Sequence, residues 1–186
     1  MVVGDELTVR PPWEPPGTTS VDLVIDPGQA FGTGAHATTR LCLELMLALR
    51  AGDGFLDLGC GSGVLAITAA RLGWSPVVAL DNDPACIDAT RANALANAVV
   101  VEVRRHDLRR DPPAVAPTVA ANLLRPLLLA WAERLAEAPR LPERVIASGL
   151  LVGEVDEVAA AFVRLGLVEH ERRRAGEWAA ILLAAA

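Results

Sequence analysis

The 186-residue chain contains no lysine: all seventeen of its basic side chains are arginine. We read this as a compositional habit rather than as chemistry. Cysteine is scarce. Cys42, Cys60 and Cys86 are odd in number, far apart and form no CxxC pair. That argues against a disulfide framework or a zinc site, and for three small buried apolar residues. No apolar run reaches the roughly 18 uncharged residues needed to span a bilayer. The opening MVVGDEL is too acidic and too short of apolar residues for a secretory signal, so a cytoplasmic protein is expected. Positive charge is also short, with a net charge of −6 and a pI of about 5.1. A direct nucleic-acid partner is not expected without a basic stripe, whereas a basic protein or a cationic cofactor is compatible. There is no internal repeat and no low-complexity segment.

What is present is a globular composition, 52% apolar and 22% charged, in a length suited to one domain with a full-sized core. Residues 1–20, centred on RPPWEPPG, read as a short strand and a proline-stiffened linker. Residues 21–186 read as the domain proper. VDLVI (21–25) is a short strand, and a helix runs from Thr38 or Thr39 to about Arg50. Strands and helices then alternate. GFLDLG is followed by a helix from Ser62 to Leu72. PVVALD is followed by a helix that Asp83 caps and Pro84 opens. The strand VVVEVRR (99–105) comes next. TVAANLL (118–124) precedes a helix from Pro126 to Ala138, and RVIASGLL precedes one from Gly153 to Leu165. The last twenty or so residues read as two strands joined at Ala175–Gly176. The expectation is an α/β fold of Rossmann-like class. Its sheet has seven strands, mostly parallel with one antiparallel, and helices cover both faces.

Two glycine-rich stretches lie close together, DPGQAFGTGAHATTR (26–40) and LDLGCGSG. In the second, Gly59, Gly61 and Gly63 sit between a buried strand and a helix start. Glycine there tolerates positive φ and lets backbone approach a ligand, and the free N–H groups favour an anionic group. The next strand ends eighteen residues later in Asp81, placed to accept hydrogen bonds from both hydroxyls of a ribose. A dinucleotide site would carry G-x-G-x-x-G; here the spacing is G-x-G-x-G, preceded by Asp57. That is the form found in methyltransferases that use S-adenosylmethionine, a ligand with a carboxylate for the helix end and an ammonium for a nearby acid. Asp107, after the third strand of the alternating set, is placed to meet the adenine amino group. Asn82 stands beside Asp81, where it flanks the adenine or serves the turn. Asp57, Gly59, Cys60, Gly61, Asp81, Asn82, Asp107 and Asn122 are the cofactor-binding candidates in this part of the chain.

ANLLRP follows the fourth strand of that set. Asn122 there falls at the carboxyl edge of the sheet and is the catalytic candidate. Methyltransferases acting on nitrogen often hold an Asn or Asp at this place within a D/N-P-P-Y-type motif. The side chain accepts a hydrogen bond from the attacking nitrogen and aligns its lone pair on the methyl carbon. Here the motif is Asn-Leu-Leu, without the prolines or the aromatic residue. No general base stands out. Desolvation lowers the pKa of a lysine amine, so a dedicated base is unnecessary. His36 is the one histidine in a site loop; His106 and His170 read as ordinary surface or strand residues.

With DPGQAFGTGAHATTRLCLE, LDLGCGSGVLAI, DNDP, ANLL and the closing SGLL and GEW, the chain resembles the PrmA family, bacterial methyltransferases of large-subunit ribosomal protein eleven. The resemblance spans about Val21 to Leu183. It implies that the first glycine stretch, through Phe31, Gly32, Thr33 and Gly34, lies over the methionine end of the cofactor, and that Thr39 touches the cofactor. It implies S-adenosylmethionine as cofactor and a ribosomal protein amine, a lysine side chain or the N-terminal amine, as acceptor. The family carries an N-terminal recognition domain, and this chain begins at what looks like the linker after it. Another protein or a small molecule remains open as acceptor. An NAD-binding oxidoreductase and a cofactor-binding module without activity are the readings from other classes.

Overall fold

The computed structural model describes residues 1–26, 28 and 36–185. It contains two sheets. The small one holds β1 (Val2–Val3), β2 (Leu7–Arg10) and β3 (Val21–Val24) in that order. β1 is antiparallel to β2, and β2 is parallel to β3. The dipeptide strand β1 is too short to leave a sequence pattern, so only the strands around it were legible.

The large sheet has seven strands. They are β4 (Asp53–Leu58), β5 (Ser75–Asp81), β6 (Glu102–Arg105), β7 (Thr118–Asn122), β8 (Arg144–Leu151), β9 (Leu167–Ala175) and β10 (Trp178–Ala185). Their order is β6-β5-β4-β7-β8-β10-β9, and β10 runs antiparallel to both of its neighbours. This is the expected mostly parallel sheet with one reversed strand beside an edge.

The central strands are apolar on both faces because both are covered. Side chains alternate along each strand. Phe55, Val77, Ala79, Ala120, Ile146 and Ala180 join one core with α1 (Ala37–Leu47), α2 (Val64–Leu72) and the small sheet. Leu56, Leu58, Leu80, Val119, Ala121, Val145 and Ile181 join the other with α4 (Arg125–Leu135) and α5 (Val155–Val163). In that second core the rings of Trp131 and Phe162 meet edge to face at 5.6 Å.

Local chemistry sets the helix ends. α2 stops at Gly73, which adopts φ +100° and turns its N–H back to the carbonyls of Ala69 and Ala70. α3 (Pro84–Ala96) opens as expected: Asp83 accepts from the Ala85 N–H at 2.9 Å and Pro84 stands in the first turn. α1 differs from expectation. Its N-cap is His36, whose Nδ1 accepts from the Thr38 N–H, so Thr38 and Thr39 both lie inside the first turn and are buried. α2 starts at Val64 rather than Ser62, because Gly63 in the left-handed region ends the preceding turn. The strand β6 is shorter than the apolar run 99–105, since Val99 follows directly on the close of α3. The helices α1, α4 and α5 are each shorter than expected; a short 3-10 turn at Val152–Glu154 precedes α5.

Candidate functional site

Parallel strands carry their following loops to one edge, and this edge holds the expected residues. β4 ends at Leu58, and the chain turns through Gly59, Gly61 and Gly63 with φ of +79°, +54° and +81°. The turn hangs from the neighbouring strand: the N–H groups of Gly59 and Cys60 both donate to the carbonyl of Leu80, at 2.8 and 3.0 Å. Asp81 ends β5. Its Oδ2 accepts from the Gly61 N–H and its Oδ1 from the Asp83 N–H, each at 3.0 Å. A carboxylate oxygen has two lone pairs, so each keeps one for a ligand hydroxyl.

Two cavities adjoin this corner and share Gly59, Asp81 and Leu123 as walls. The larger, about 400 Å³, is also lined by Asn82, His106 and Asp107. The smaller, about 310 Å³, is lined by Thr39, Asp57, Cys60, Gly61, Asp83 and Asn122 among others. The structure therefore brings Thr39, Asp57, Gly59, Cys60, Gly61, Asp81, Asn82, Asp107 and Asn122 to one edge. Phe31, Gly32, Thr33 and Gly34 lie outside the described residues.

Asp57 is buried, 1% exposed, and its Oδ2 accepts from the Ala66 N–H at 3.0 Å. Burial pushes its carboxyl up to about 7; that hydrogen bond opposes the rise and the charge of Asp81 adds to it. Burial likewise pushes the Cys60 thiol far up, so it lines the cavity as a neutral group. Its Sγ lies 3.3 Å from Thr90 Oγ1, which in turn donates to the carbonyl of Gly61 at 3.0 Å.

Asn122 ends β7. Its Nδ2 donates to Oγ1 of Thr39 on α1 at 3.4 Å, and its Oδ1 has no protein donor among the described residues. The strand end is fixed by the Leu123 N–H, which donates to the Ser148 carbonyl at 3.0 Å. Beside it, Gly149 has φ +81°, and a Cβ there would lie 2.5 Å from the Leu123 carbonyl oxygen. His36, besides capping α1, sets its ring edge-on to Trp178 with centroids 5.0 Å apart.

Three side chains that bond nearby backbone carry no sequence signal as individuals. Arg134 on α4 donates to the carbonyls of Arg109 at 2.9 Å and Asp111 at 2.5 Å, holding the loop that bears Asp107. Asn93 and Asn97 on α3 bond the backbone of residues 24 and 26, where the first glycine stretch begins. Their spacing of four within RANALANA, about one helical turn, is the clue that could have found them.

Among the described residues no helix is long and apolar enough to cross a membrane, and no cluster of three His, Cys, Asp or Glu could hold a metal ion. The family model described as ribosomal protein L11 methyltransferase (PrmA) matches residues 1–185. The ribosomal protein L11 methyltransferase of Heliobacterium modesticaldum is 41% identical over 97% of this chain and 58% of its own length. The same-named protein of Geobacter metallireducens is 41% identical over 97% of this chain and 60% of its own. The chain thus spans about three fifths of the length of these curated relatives. A solved structure of a ribosomal protein L11 methylase from Lactobacillus delbrueckii subsp. bulgaricus superposes with a TM-score of 0.84 at 27% identity, over 97% of this chain and 95% of that one. The family model covers nearly the whole chain and the curated relatives share about two fifths of its residues, so the chain belongs to the PrmA family of ribosomal protein L11 methyltransferases.

Proposed function

We propose that this chain is the catalytic unit of an S-adenosylmethionine-dependent protein N-methyltransferase whose acceptor is an amine of ribosomal protein L11. The observation that carries the reading is the Asn122–Thr39 contact, which holds a carboxamide at the strand edge beside the cavity shared by Gly59 and Asp81. The names of the relatives, ribosomal protein L11 methyltransferases, support the choice of acceptor.

The donor set fits S-adenosylmethionine. Asp57, Asp81 and Asp83 line the smaller cavity, which suits a ligand with two ribose hydroxyls and cationic sulfonium and ammonium groups. The same acids disfavour the pyrophosphate of a dinucleotide. Asp81 takes the ribose hydroxyls through its remaining lone pairs. Asp107 and Asn82 flank the adenine in the larger cavity. The bare backbone at Gly59, Cys60 and Gly61 lets the ligand lie close, with Asp57 beneath.

S-adenosylmethionine supplies an electrophilic methyl carbon. Asn122 holds the acceptor: with Nδ2 given to Thr39, its Oδ1 accepts an N–H of the amine and turns the nitrogen lone pair toward that carbon. The apolar walls from Val64, Leu65 and Leu123 desolvate the amine, which favours its neutral, nucleophilic form.

Calorimetry with S-adenosylhomocysteine and with NADH tests the cofactor; binding of NADH alone would overturn the assignment. Transfer of labelled methyl groups to purified ribosomal protein L11, run beside the full-length Heliobacterium modesticaldum relative, tests the acceptor. Label on L11 with the relative but on a different protein with this chain would move the acceptor elsewhere.

A further inference from the structure

Among the described residues no strand lies beside the outer edge of β3, and the C-terminal end of α3 supplies a substitute. Asn97 accepts from the Val24 N–H at 2.9 Å and donates to the Val24 carbonyl at 2.7 Å. Asn93 accepts from the Asp26 N–H at 2.9 Å and donates to the Asp26 carbonyl at 3.2 Å. Each carboxamide thus exchanges two hydrogen bonds with one residue, as a peptide group in an antiparallel ladder does. The spacing matches, because four helical residues rise about 6.0 Å and two strand residues about 6.7 Å.

The two asparagines differ in their third bond. Asn97 sends its second N–H back to its own helix, to the Asn93 carbonyl at 2.7 Å. Asn93 sends its second N–H out of the helix, to the carbonyl of Ser62 at 2.9 Å. Ser62 lies in the glycine turn. If covering β3 were the whole task, the two residues would be equivalent. We propose that Asn93 is a positioning residue for methyl transfer: it joins the backbone at Asp26 to the glycine turn at Ser62 and so sets the place of the turn beneath the cofactor.

Thr90, one turn earlier on α3, already holds the Gly61 carbonyl, and Asp81 holds the Gly61 N–H. Asn93 adds the constraint that ties this turn to the strand leading into the first glycine stretch. The inference rests on the reading of the turn as the cofactor's cradle.

The test uses the whole chain with Asn93→Ala, Asn93→Ser and Asn97→Ala. Asn97→Ala removes a contact to β3 and Asn93→Ala one to the backbone two residues beyond it, so both lower the melting temperature. Only the Asn93 variants should weaken S-adenosylhomocysteine binding, at least tenfold by calorimetry, with Asn97→Ala within threefold of wild type. Wild-type affinity in the Asn93 variants, or an equal loss in Asn97→Ala, overturns the proposal. If Asn93→Ala does not fold, Asn93→Ser carries the comparison. If the wild-type chain does not bind the probe, the cofactor reading fails, and amide exchange then decides the positioning role. Faster exchange across residues 59–64 in Asn93→Ser than in Asn97→Ala supports it; equal exchange overturns it.

Discussion

The side chains of Thr39 and Asn122 meet at 3.4 Å although 83 positions separate them along the chain. One lies in the first turn of α1, the other at the end of β7, and the contact makes α1 part of the strand-edge site. Thr39 is only 1% exposed, so its hydroxyl stands in a dry setting where losing a partner is costly.

Asn122→Ala should therefore lower methyl transfer to L11 by about 10²-fold or more, a typical cost of losing a group that orients a reacting nitrogen. Affinity for S-adenosylhomocysteine should stay within a few-fold. Thr39→Val, which keeps the shape and removes the hydroxyl, should lower the rate less. Equal rates for wild type and Asn122→Ala in a single-turnover assay would remove Asn122 from the reaction.

Asp81→Ala should weaken cofactor binding by about 1–3 kcal/mol, through loss of charge-assisted hydrogen bonds to the ribose. The same change strips the Gly61 and Asp83 N–H groups of their acceptor, so the melting temperature should fall as well. Asp81→Asn, which keeps one acceptor, should lie between in both measurements. Unchanged calorimetric affinity in a folded Asp81→Ala protein would exclude the ribose contact.

Asp57 makes stability pH-dependent in a predictable direction. Its carboxyl is raised from 3.8 to about 7 by folding, so between those values the folded chain holds a proton that the unfolded chain releases. Its contribution is most favourable below about pH 4 and is lost as pH rises toward 7, at up to about 1.4 kcal/mol per pH unit. Urea melts of wild type and Asp57→Asn at pH 5 and pH 7 should show the wild type losing more stability across that interval. Cofactor affinity should run the other way. A cationic ligand prefers the ionised carboxylate, so wild-type binding tightens from pH 6 to 8 and Asp57→Asn shows a flatter, weaker profile.

Gly63→Ala combines two costs. The residue has φ +81°, and an added Cβ would sit 2.6 Å from Thr90 Cγ2. A left-handed conformation alone costs roughly 1–2 kcal/mol for a residue with a Cβ, and the clash adds to it. Gly63→Ala/Thr90→Ser removes the methyl group and should recover part of the loss in a denaturant melt. No recovery would mean that the backbone conformation carries the whole effect.

Much of this site was legible because its signals are local. The glycine turn and the Asp83–Pro84 helix start are each contained in a few residues, and Asp81 follows the turn at the length of one helix and one strand. The seven-stranded, mostly parallel sheet followed from alternation, and the antiparallel pairing of the last two strands from the missing helix between them; the order of the strands was not read from the sequence. Contacts across long separations were not legible from pattern. That Asn122 faces Thr39 was not foreseen; the family resemblance implied only that Thr39 touches the cofactor. The roles of Asn93, Asn97 and Arg134 depend on which carbonyls the fold brings near, and no spacing rule states that. His36 was missed as the cap of α1 because histidine is an uncommon cap and the two threonines after it match the preferred residue type.

The strand β10 was described as lying between β8 and β9, antiparallel to both. During synthesis this order leaves work unfinished until late. The strand β8 leaves the ribosome first and has β7 on one side, but its other edge stays open. The strand β9 follows and has no neighbour to pair with, since β10 is its only partner among the described residues. Both wait for residues 178–185. Until those emerge, the apolar segment RVIASGLL presents unpaired amide and carbonyl groups, a template for any passing strand. A nascent chain stalled before Trp178 should therefore bind chaperones and resist native folding, and release of the final eight residues of β10 should close the sheet in one step.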